Sequence, residues 1–225
     1  MPGIRVEAPA KINLHLRIGQ KRPDGYHELE SLFVPLAFGD ALSAELLDGE
    51  GPPVVRMEGI PGAGQIKPEE NILFRAVSLF REKTAFNRKL HIEVLKRIPL
   101  GGGLGGGSSD AAALLAALNR LSGAGLSGEE LREIAGKLGS DVPFFLFGGA
   151  ALAGGRGEKL LPVDFPGGMS VVLVNPGFSS GTAGAYGRLD AYRQKRGISA
   201  AKTALPGEIA GILKENPRDW PFTND

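Results

Sequence analysis

The most informative segment of the sequence is Pro99-Leu-Gly-Gly-Gly-Leu-Gly-Gly-Gly-Ser-Ser-Asp-Ala-Ala112. Before it, apolar residues at 90, 92 and 94 alternate with other residues, which predicts a half-buried strand. After it, leucines at 114, 115, 118 and 121 recur at helical spacing. The glycines therefore predict a loop that leads from a strand into the N-terminus of a helix.

A loop of this kind suits a phosphate group. The first N–H groups of a helix lack intrahelical partners, and the helix dipole places partial positive charge beside them. Glycines let phosphate oxygens approach the backbone, and Ser108 and Ser109 add hydroxyls at the helix entry. The alternative is a flexible linker or a tight turn without a ligand, but Ser-Ser-Asp at the helix start favours the phosphate loop.

The motif differs from the two commonest nucleotide loops. A P-loop requires Gly-Lys-Ser/Thr after its last glycine, whereas this chain has Gly107-Ser108-Ser109. Residues 101–106 satisfy G-x-G-x-x-G, but no acidic residue follows a second strand at the spacing of a dinucleotide site. Neither motif accounts for the loop.

Composition limits the classes of function. The 225 residues are 42% hydrophobic and carry a formal charge of +1, from 26 basic and 25 acidic residues. Such a balance gives no field that would attract nucleic acid or an anionic membrane, so we expect neither partner. No cysteine, signal-peptide pattern or bilayer-length apolar run occurs, so we expect a cytoplasmic protein without disulfides or thiolate chemistry.

The remaining patterns predict an α+β organisation. Alternating apolar residues predict strands at 4–8 and 12–18, interrupted by Pro9, with Lys11 and Asn13 on the face opposite the core. Further strands are expected at 30–36 and 41–47. Helical spacing predicts a helix over 71–86, and a capping box at Ser127 and Glu130 predicts another that ends at Gly139.

A change of composition predicts two domains. A run rich in glycine and alanine occupies residues 148–157, and residues 171–174 are expected to begin a new buried strand. We therefore predict an N-terminal domain over residues 1–155 and a smaller C-terminal domain over residues 156–225.

Several side chains could carry chemistry. Asp141 could accept a substrate hydroxyl proton during phosphoryl transfer, or could belong to a simple Asx turn. Lys11 could neutralise a transferring phosphoryl group, although a strand lysine is more often solvated. Tyr26 and His27, after the turn Pro23-Asp24-Gly25, could stack on a planar base or only pack.

Metal chemistry is restricted to an ion that arrives with a nucleotide. The three histidines are far apart in sequence and no cysteine occurs, so no transition-metal site is expected. Mg²⁺ would need only a few oxygen ligands, and Ser108 is the candidate.

Three segments together resemble the GHMP kinase superfamily: Ala8-Pro-Ala-Lys-Ile-Asn-Leu-His-Leu16, residues 99–112, and Gly139-Ser-Asp-Val-Pro143. A fourth, Arg22-Pro-Asp-Gly-Tyr-His27, resembles the cytidine-recognition turn of one branch of that superfamily. Members of this branch phosphorylate a cytidine diphosphate-linked methylerythritol in the non-mevalonate route to isoprenoid precursors.

The resemblance implies a fold and a set of roles. The fold would be two-domain α+β, with an N-terminal nucleotide-binding domain of a type also found in ribosomal proteins and a smaller C-terminal domain. Mg-ATP would be the phosphoryl donor, Asp141 the base that deprotonates the 2-hydroxyl of the substrate, and Lys11 the cation that positions this carboxylate. The protein would be a monomer or a weak homodimer that acts on a small molecule.

The resemblance also implies the binding residues. Those for ATP would be Asn71, Lys96, Pro99, Leu100, Gly101, Gly102, Gly103, Leu104, Gly105, Gly106, Gly107, Ser108 and Ser109. Those for the cytidine diphosphate-linked substrate would be Asn13, Tyr26, His27, Phe33, Thr182 and Tyr186.

Two other functions stay open on the sequence, and the chain departs from the family in one respect. It could be another small-alcohol kinase, of the mevalonate or homoserine type, or a nucleotide-binding protein without catalysis. Family members continue beyond the segment that resembles Pro221-Phe-Thr-Asn-Asp225 into further elements with a third glycine-rich motif, so we expect a truncated form.

Overall fold

The computed structural model describes residues 2–177, 181–200, 211–215 and 217–225. The chain divides into two compact units. The first contains residues 1–10, 36–100 and 104–148, and the second contains residues 11–35, 101–103 and 149–225. Both units contain helices and strands. The predicted domain boundary near residue 155 stays a prediction.

Antiparallel and parallel strands form the sheet of the first unit. Two long strands, β1 (Gly3–Lys21) and β2 (His27–Glu50), each contribute one part to this unit and one part to the other. β2 pairs antiparallel with β4 (Arg88–Leu95), and β4 pairs parallel with β3 (Val54–Glu58). Leu42 lies opposite Val94 in this register, and both side chains are buried.

Three helices pack with the sheet of the first unit. They are α1 (Ile72–Thr84), α2 (Gly106–Ser122) and α3 (Gly128–Leu138), and short 3-10 helices lie at Ala63–Gln65 and Pro143–Leu146. The core joins apolar side chains of β2 and β4 to those of the helices, among them Leu42, Leu90, Ile92, Leu73, Val77, Phe80, Leu114, Leu115, Leu118 and Ile134. The predicted helices are confirmed, and Ser127 and Glu130 make the predicted capping box before α3.

β1 runs through Pro9, so the expected interruption of the strand at this residue does not occur. Gly39 on β2 explains how the strands accommodate the proline. A Cβ on Gly39 would lie 2.5 Å from the carbonyl oxygen of Ala8 and 2.7 Å from the Cα of Pro9. The missing side chain therefore lets the two backbones approach closely.

The second unit contains two further strands of the sheet and a core of its own. β2 pairs antiparallel with β5 (Ala151–Gly154), which pairs antiparallel with β6 (Lys159–Pro162). Helix α4 (Thr182–Arg196) belongs to this unit. Leu32, Val34, Leu152 and Leu213 are buried together, with Phe165 and Trp220 packed against them.

The last described residues form hydrogen bonds with β1 within the second unit. Leu16 donates its backbone N–H to the carbonyl of Thr223 at 2.8 Å, and Asp225 donates to the carbonyl of Leu16 at 3.0 Å. The Asp225 carboxylate also accepts from the N–H of Ile18 at 2.9 Å. These bonds extend the pairing of β1 by one short parallel contact.

The predicted buried strand at residues 171–174 is wrong. The segment has no regular structure, and its side chains are exposed, with Val172 at 90% and Val174 at 84%. Apolar alternation produces a strand only where another strand supplies hydrogen bonds, and among the described residues none pairs with this segment. Within the described part of the chain, no helix combines the length and apolar character needed to cross a bilayer.

Candidate functional site

The glycine-rich loop, residues 99–105, connects the end of β4 to α2. Gly101, Gly103 and Gly105 have φ values of 68°, 72° and 71°. L-residues rarely adopt this left-handed region, so these three alternate positions require glycine. Residues 100–103 are exposed, which leaves their backbone open to a ligand.

Helix α2 begins without a side-chain cap. Its N-cap is Gly105, so no side chain satisfies the first N–H groups of the helix. Ser108 is half-buried in the first turn, whereas Ser109 is fully buried. Ser109 Oγ finds no hydrogen-bond partner within the described residues. The geometry suits an anion, and the ligand roles of the loop and its serines stay predictions.

A buried ion cluster joins the residue that follows β4 to the second turn of α2. Lys96 Nζ donates to Asp110 Oδ2 at 2.7 Å and to Asp40 Oδ2. The three residues are 2%, 1% and 0% exposed in the order Lys96, Asp110, Asp40. Lys96 is therefore held by carboxylates in the core of the first unit, and its predicted contact with a nucleotide stays a prediction.

Asp110 is the unusual member of this cluster. Burial raises its pKa from 3.8 to about 7, although Lys96 opposes the shift. Its second oxygen, Oδ1, has no hydrogen-bond partner among the described residues. One ammonium thus faces two carboxylates, and the protonation of Asp110 near neutral pH balances the charge.

Asn71 and Asp141 also belong to the first unit. Asn71 caps α1 by accepting from the N–H of Leu73 at 3.0 Å, and its amide nitrogen contacts Met57 Sδ at 3.2 Å. Asp141 is half-buried in the turn between α3 and the 3-10 helix at Pro143–Leu146. The predicted roles of both residues stay predictions.

Lys11, Asn13 and Phe33 form one cluster in the second unit. Lys11 Nζ donates to Asn13 Oδ1 at 2.5 Å and lies 4.7 Å from the centroid of the Phe33 ring. Lys11 and Asn13 share a face, as predicted, but Lys11 is 5% exposed, so the expected face opposite the core is wrong. The apolar alternation of β1 fails here because a lysine can be buried when its ammonium finds a polar group and an aromatic face.

Two aromatic contacts mark a second cluster in this unit. His27 stacks on Tyr186 of α4, with ring centroids 5.2 Å apart and planes inclined by 14°. His27 Nε2 lies 2.8 Å from Asp190 Oδ1, and this hydrogen bond is the largest cause of the lowered pKa of Asp190. Arg156 lies 4.8 Å from the ring centroid of Tyr26, which is 56% exposed. Thr182 begins α4, but its side chain lies outside the described residues.

Sequence patterns did not identify four of these residues. Asp40, Asp110, Asp190 and Arg156 contact predicted site residues, yet they are distant from them in sequence or lack a motif of their own. Of these four residues, only Asp110 had a signal in the sequence, because it directly follows Ser108 and Ser109. Over the described residues, no cluster of three or more histidine, aspartate or glutamate side chains could hold a metal ion, and the role of Ser108 as a magnesium ligand stays a prediction.

Comparison with known proteins shows the class of protein to which this chain belongs. Residues 71–149 match the family described as GHMP kinases N terminal domain. The chain belongs to the GHMP kinase superfamily, and the expected α+β kinase fold is confirmed. The homoserine kinase of Cytophaga hutchinsonii, 19% identical, supports the fold alone, with a TM-score of 0.60 over 95% of this chain and 67% of that one.

Within the superfamily, two relatives are more than 40% identical to this chain. The 4-diphosphocytidyl-2-C-methyl-D-erythritol kinase of Aromatoleum aromaticum is 48% identical over 170 residues, which are 75% of this chain and 58% of that protein. A crystal structure of 4-(cytidine 5'-diphospho)-2C-methyl-D-erythritol kinase is 43% identical, with a TM-score of 0.61 over 72% of this chain and 56% of that one. The chain spans about three fifths of the length of the curated relatives it matches.

Proposed function

We propose that this chain carries the activity of its relatives, the ATP-dependent phosphorylation of the 2-hydroxyl of 4-diphosphocytidyl-2-C-methyl-D-erythritol. The observation that carries the proposal is the 48% identity to a kinase of that name over 75% of the chain. The Arg22–His27 turn supports the same substrate, because its two rings offer stacking and hydrogen bonding to a planar base.

The phosphates of ATP would bind at the glycine-rich loop and the uncapped start of α2. Three glycines with positive φ lie in this loop, and the helix dipole adds partial positive charge at the start of α2. Asn71 and Lys96 would lie on the adenine side of this site. Mg²⁺, when bound with ATP, would neutralise part of the phosphate charge, and the half-buried hydroxyl of Ser108 would be one of the oxygens that hold it.

Asp141 and Lys11 would carry the chemistry. The substrate hydroxyl would transfer its proton to the Asp141 carboxylate as its oxygen attacks the γ-phosphorus of ATP, and ADP would leave in line. Lys11 would stabilise the negative charge that develops in this step. Positioning and charge neutralisation would supply most of the rate enhancement, since phosphoryl transfer needs little covalent chemistry from the protein.

The second unit would recognise the rest of the substrate. Tyr26, His27 and Tyr186 would hold the base, and Asn13, Phe33 and Thr182 would line the remainder of the pocket. The domain division at residue 155, a cytoplasmic location and a monomer or weak homodimer complete the proposal.

The test measures ADP release by the 225-residue chain with Mg-ATP and three alcohols in turn: the diphosphocytidyl substrate, mevalonate and homoserine. The proposal expects turnover with the first alone, and its loss in Asp141→Asn. Turnover with mevalonate or homoserine would indicate another kinase of the superfamily. Stabilisation by ATP without ADP release would indicate a nucleotide-binding protein without catalysis.

A further inference from the structure

We propose that Asp40, Lys96 and Asp110 form a buried anchor that holds the glycine-rich loop and the start of α2 in the position where they meet phosphate. The proposal gives Lys96 a positioning role in the nucleotide site, because it would act on phosphate binding through the loop and the start of α2. It rests on the proposed function only in naming ATP as the ligand of the loop.

Asp40 fixes the segment that enters the loop. One of its oxygens, Oδ1, accepts from the backbone N–H groups of Arg97 at 2.5 Å and Ile98 at 2.8 Å. Its other oxygen accepts from Lys96 Nζ. A single carboxylate that is 0% exposed thus holds three consecutive residues immediately before Pro99.

Asp110 fixes the segment that leaves the loop. It lies in the second turn of α2 and accepts from the same ammonium at 2.7 Å. Lys96 therefore joins the two ends of the loop through a single charged group. A hydrogen bond from a charged donor such as this ammonium is about twice as strong as a bond between neutral groups, and burial keeps solvent from weakening it.

Gly106, the first residue of α2, lies close to the side chains of the anchor. A Cβ at this position would lie 3.0 Å from Ile98 Cγ2 and 3.3 Å from Lys96 Nζ. The first residue of α2 is thus in close contact with the ammonium, without space for a methyl group unless a neighbour moves. Any displacement of Lys96 would shift the N–H groups that the helix offers to phosphate.

A buried ion cluster often contributes little net stability, because desolvation opposes the attraction of its charges. Replacement of Lys96 and Asp110 by apolar residues of similar size removes two of the three ionisable groups and leaves Asp40 its two backbone N–H donors, so the fold can survive while the link between the two ends of the loop is lost. This separates a positioning role from a purely structural one.

The experiment uses four forms of the full chain: the parent, Lys96→Met, the double variant Lys96→Met with Asp110→Leu, and Phe80→Leu. Phe80 is a buried core residue of α1 and supplies a control for lost stability. Equilibrium binding of Mg-ATP by calorimetry is measured below the unfolding temperature of every form. Hydrogen exchange of residues 97–109 is measured without ligand.

The anchor predicts that both Lys96 variants weaken ATP binding by about tenfold to a hundredfold, the scale expected for misplaced binding groups. It also predicts faster exchange in residues 97–109, whereas Phe80→Leu changes neither the affinity nor the exchange of this segment. Unchanged affinity in Lys96→Met, or recovery of parental affinity together with stability in the double variant, would overturn the proposal. If the parent does not bind ATP, the proposed function fails, and the exchange of residues 97–109 alone decides whether the anchor exists.

Discussion

His27 lies flat against Tyr186, with ring centroids 5.2 Å apart and planes 14° from parallel. Asp190, one helical turn along α4 from Tyr186, is bonded to His27 Nε2 at 2.8 Å. A low pKa keeps Asp190 ionised, so it accepts from an Nε2 that carries the proton. The hydrogen bond therefore fixes the orientation of the His27 ring against Tyr186.

Asp190→Ala tests this arrangement. Loss of a hydrogen bond to a charged group, worth about 1.5 kcal/mol, should raise the KM for the diphosphocytidyl substrate about tenfold and leave kcat within about twofold. Steady-state kinetics measure both constants. Asp48→Ala is the control, because the Asp48 side chain is 92% exposed in the first unit. An unchanged KM in Asp190→Ala would contradict an orienting role for Asp190.

Gly103 and Gly125 offer a matched pair for the loop. Their φ values are 72° and 68°, and a Cβ would meet nothing within 4 Å at either position. Alanine should therefore cost each variant roughly 1 kcal/mol of unfolding free energy through backbone strain alone. Only Gly103→Ala should also raise the KM for ATP, and equal KM values in the two variants would argue against a phosphate site at the loop.

The capping box of α3 gives a prediction of stability. Ser127 Oγ accepts from the N–H of Glu130 at 3.2 Å, and the Ser127 N–H donates to Glu130 Oε2 at 3.0 Å. Ser127→Ala should lower the free energy of unfolding by about 1 kcal/mol in urea at neutral pH. The control is Ser78→Ala, because Ser78 lies within α1 rather than at its cap.

Glu130 adds a dependence on pH to the same box. The hydrogen bonds from Ser127 hold the pKa of Glu130 below its usual 4.5. Its stabilisation is therefore present above pH 4.5 and is lost as the pH falls through the lowered pKa. Urea unfolding should find Glu130→Gln less stable than the parent at neutral pH, with the difference shrinking in acid. A difference that stays constant down to acid pH would contradict the assigned bonds.

Asp110 should make stability depend on pH in the opposite direction. Because burial raises its pKa from 3.8 to about 7, the folded protein binds a proton that the unfolded chain releases over this interval. Stability from this group therefore falls as the pH rises from 3.8 to about 7 and is constant above it. Asp110→Asn does not titrate, so its stability relative to the parent should increase between about pH 4 and about pH 7 in denaturant unfolding. A constant difference over that interval would show that the cluster does not take up a proton.

Local signals predicted the parts of the structure that depend on neighbours in sequence. The Ser127–Glu130 box needs only four consecutive residues, and the start of α2 needs only the glycines and the leucines that follow. These elements therefore follow from the chain itself. The strand expected at residues 171–174 does not, because a strand also needs a partner, and no described strand pairs with it.

Local sequence signals could not predict the buried anchor of Asp40, Lys96 and Asp110. Residues 40, 96 and 110 come together only after β2, β4 and α2 have packed, and no local pattern in the sequence shows that they contact one another. Lys11 is similar, since only the positions of Asn13 and Phe33 explain why a lysine is buried on β1. A charged side chain is buried only where it has suitable partners. The alternation of apolar residues in the sequence does not show which partners it will have.

Transfer of labelled γ-phosphate from ATP is a direct test of the proposed kinase activity. The 225-residue chain is incubated with Mg-ATP and 4-diphosphocytidyl-2-C-methyl-D-erythritol, and the label is followed into the 2-phosphorylated product, with Asp141→Asn alongside. The account predicts labelled product with the parent chain and its loss in the variant, in which ATP still binds. Binding of ATP without any labelled product from the parent, or equal product from the variant, would contradict it.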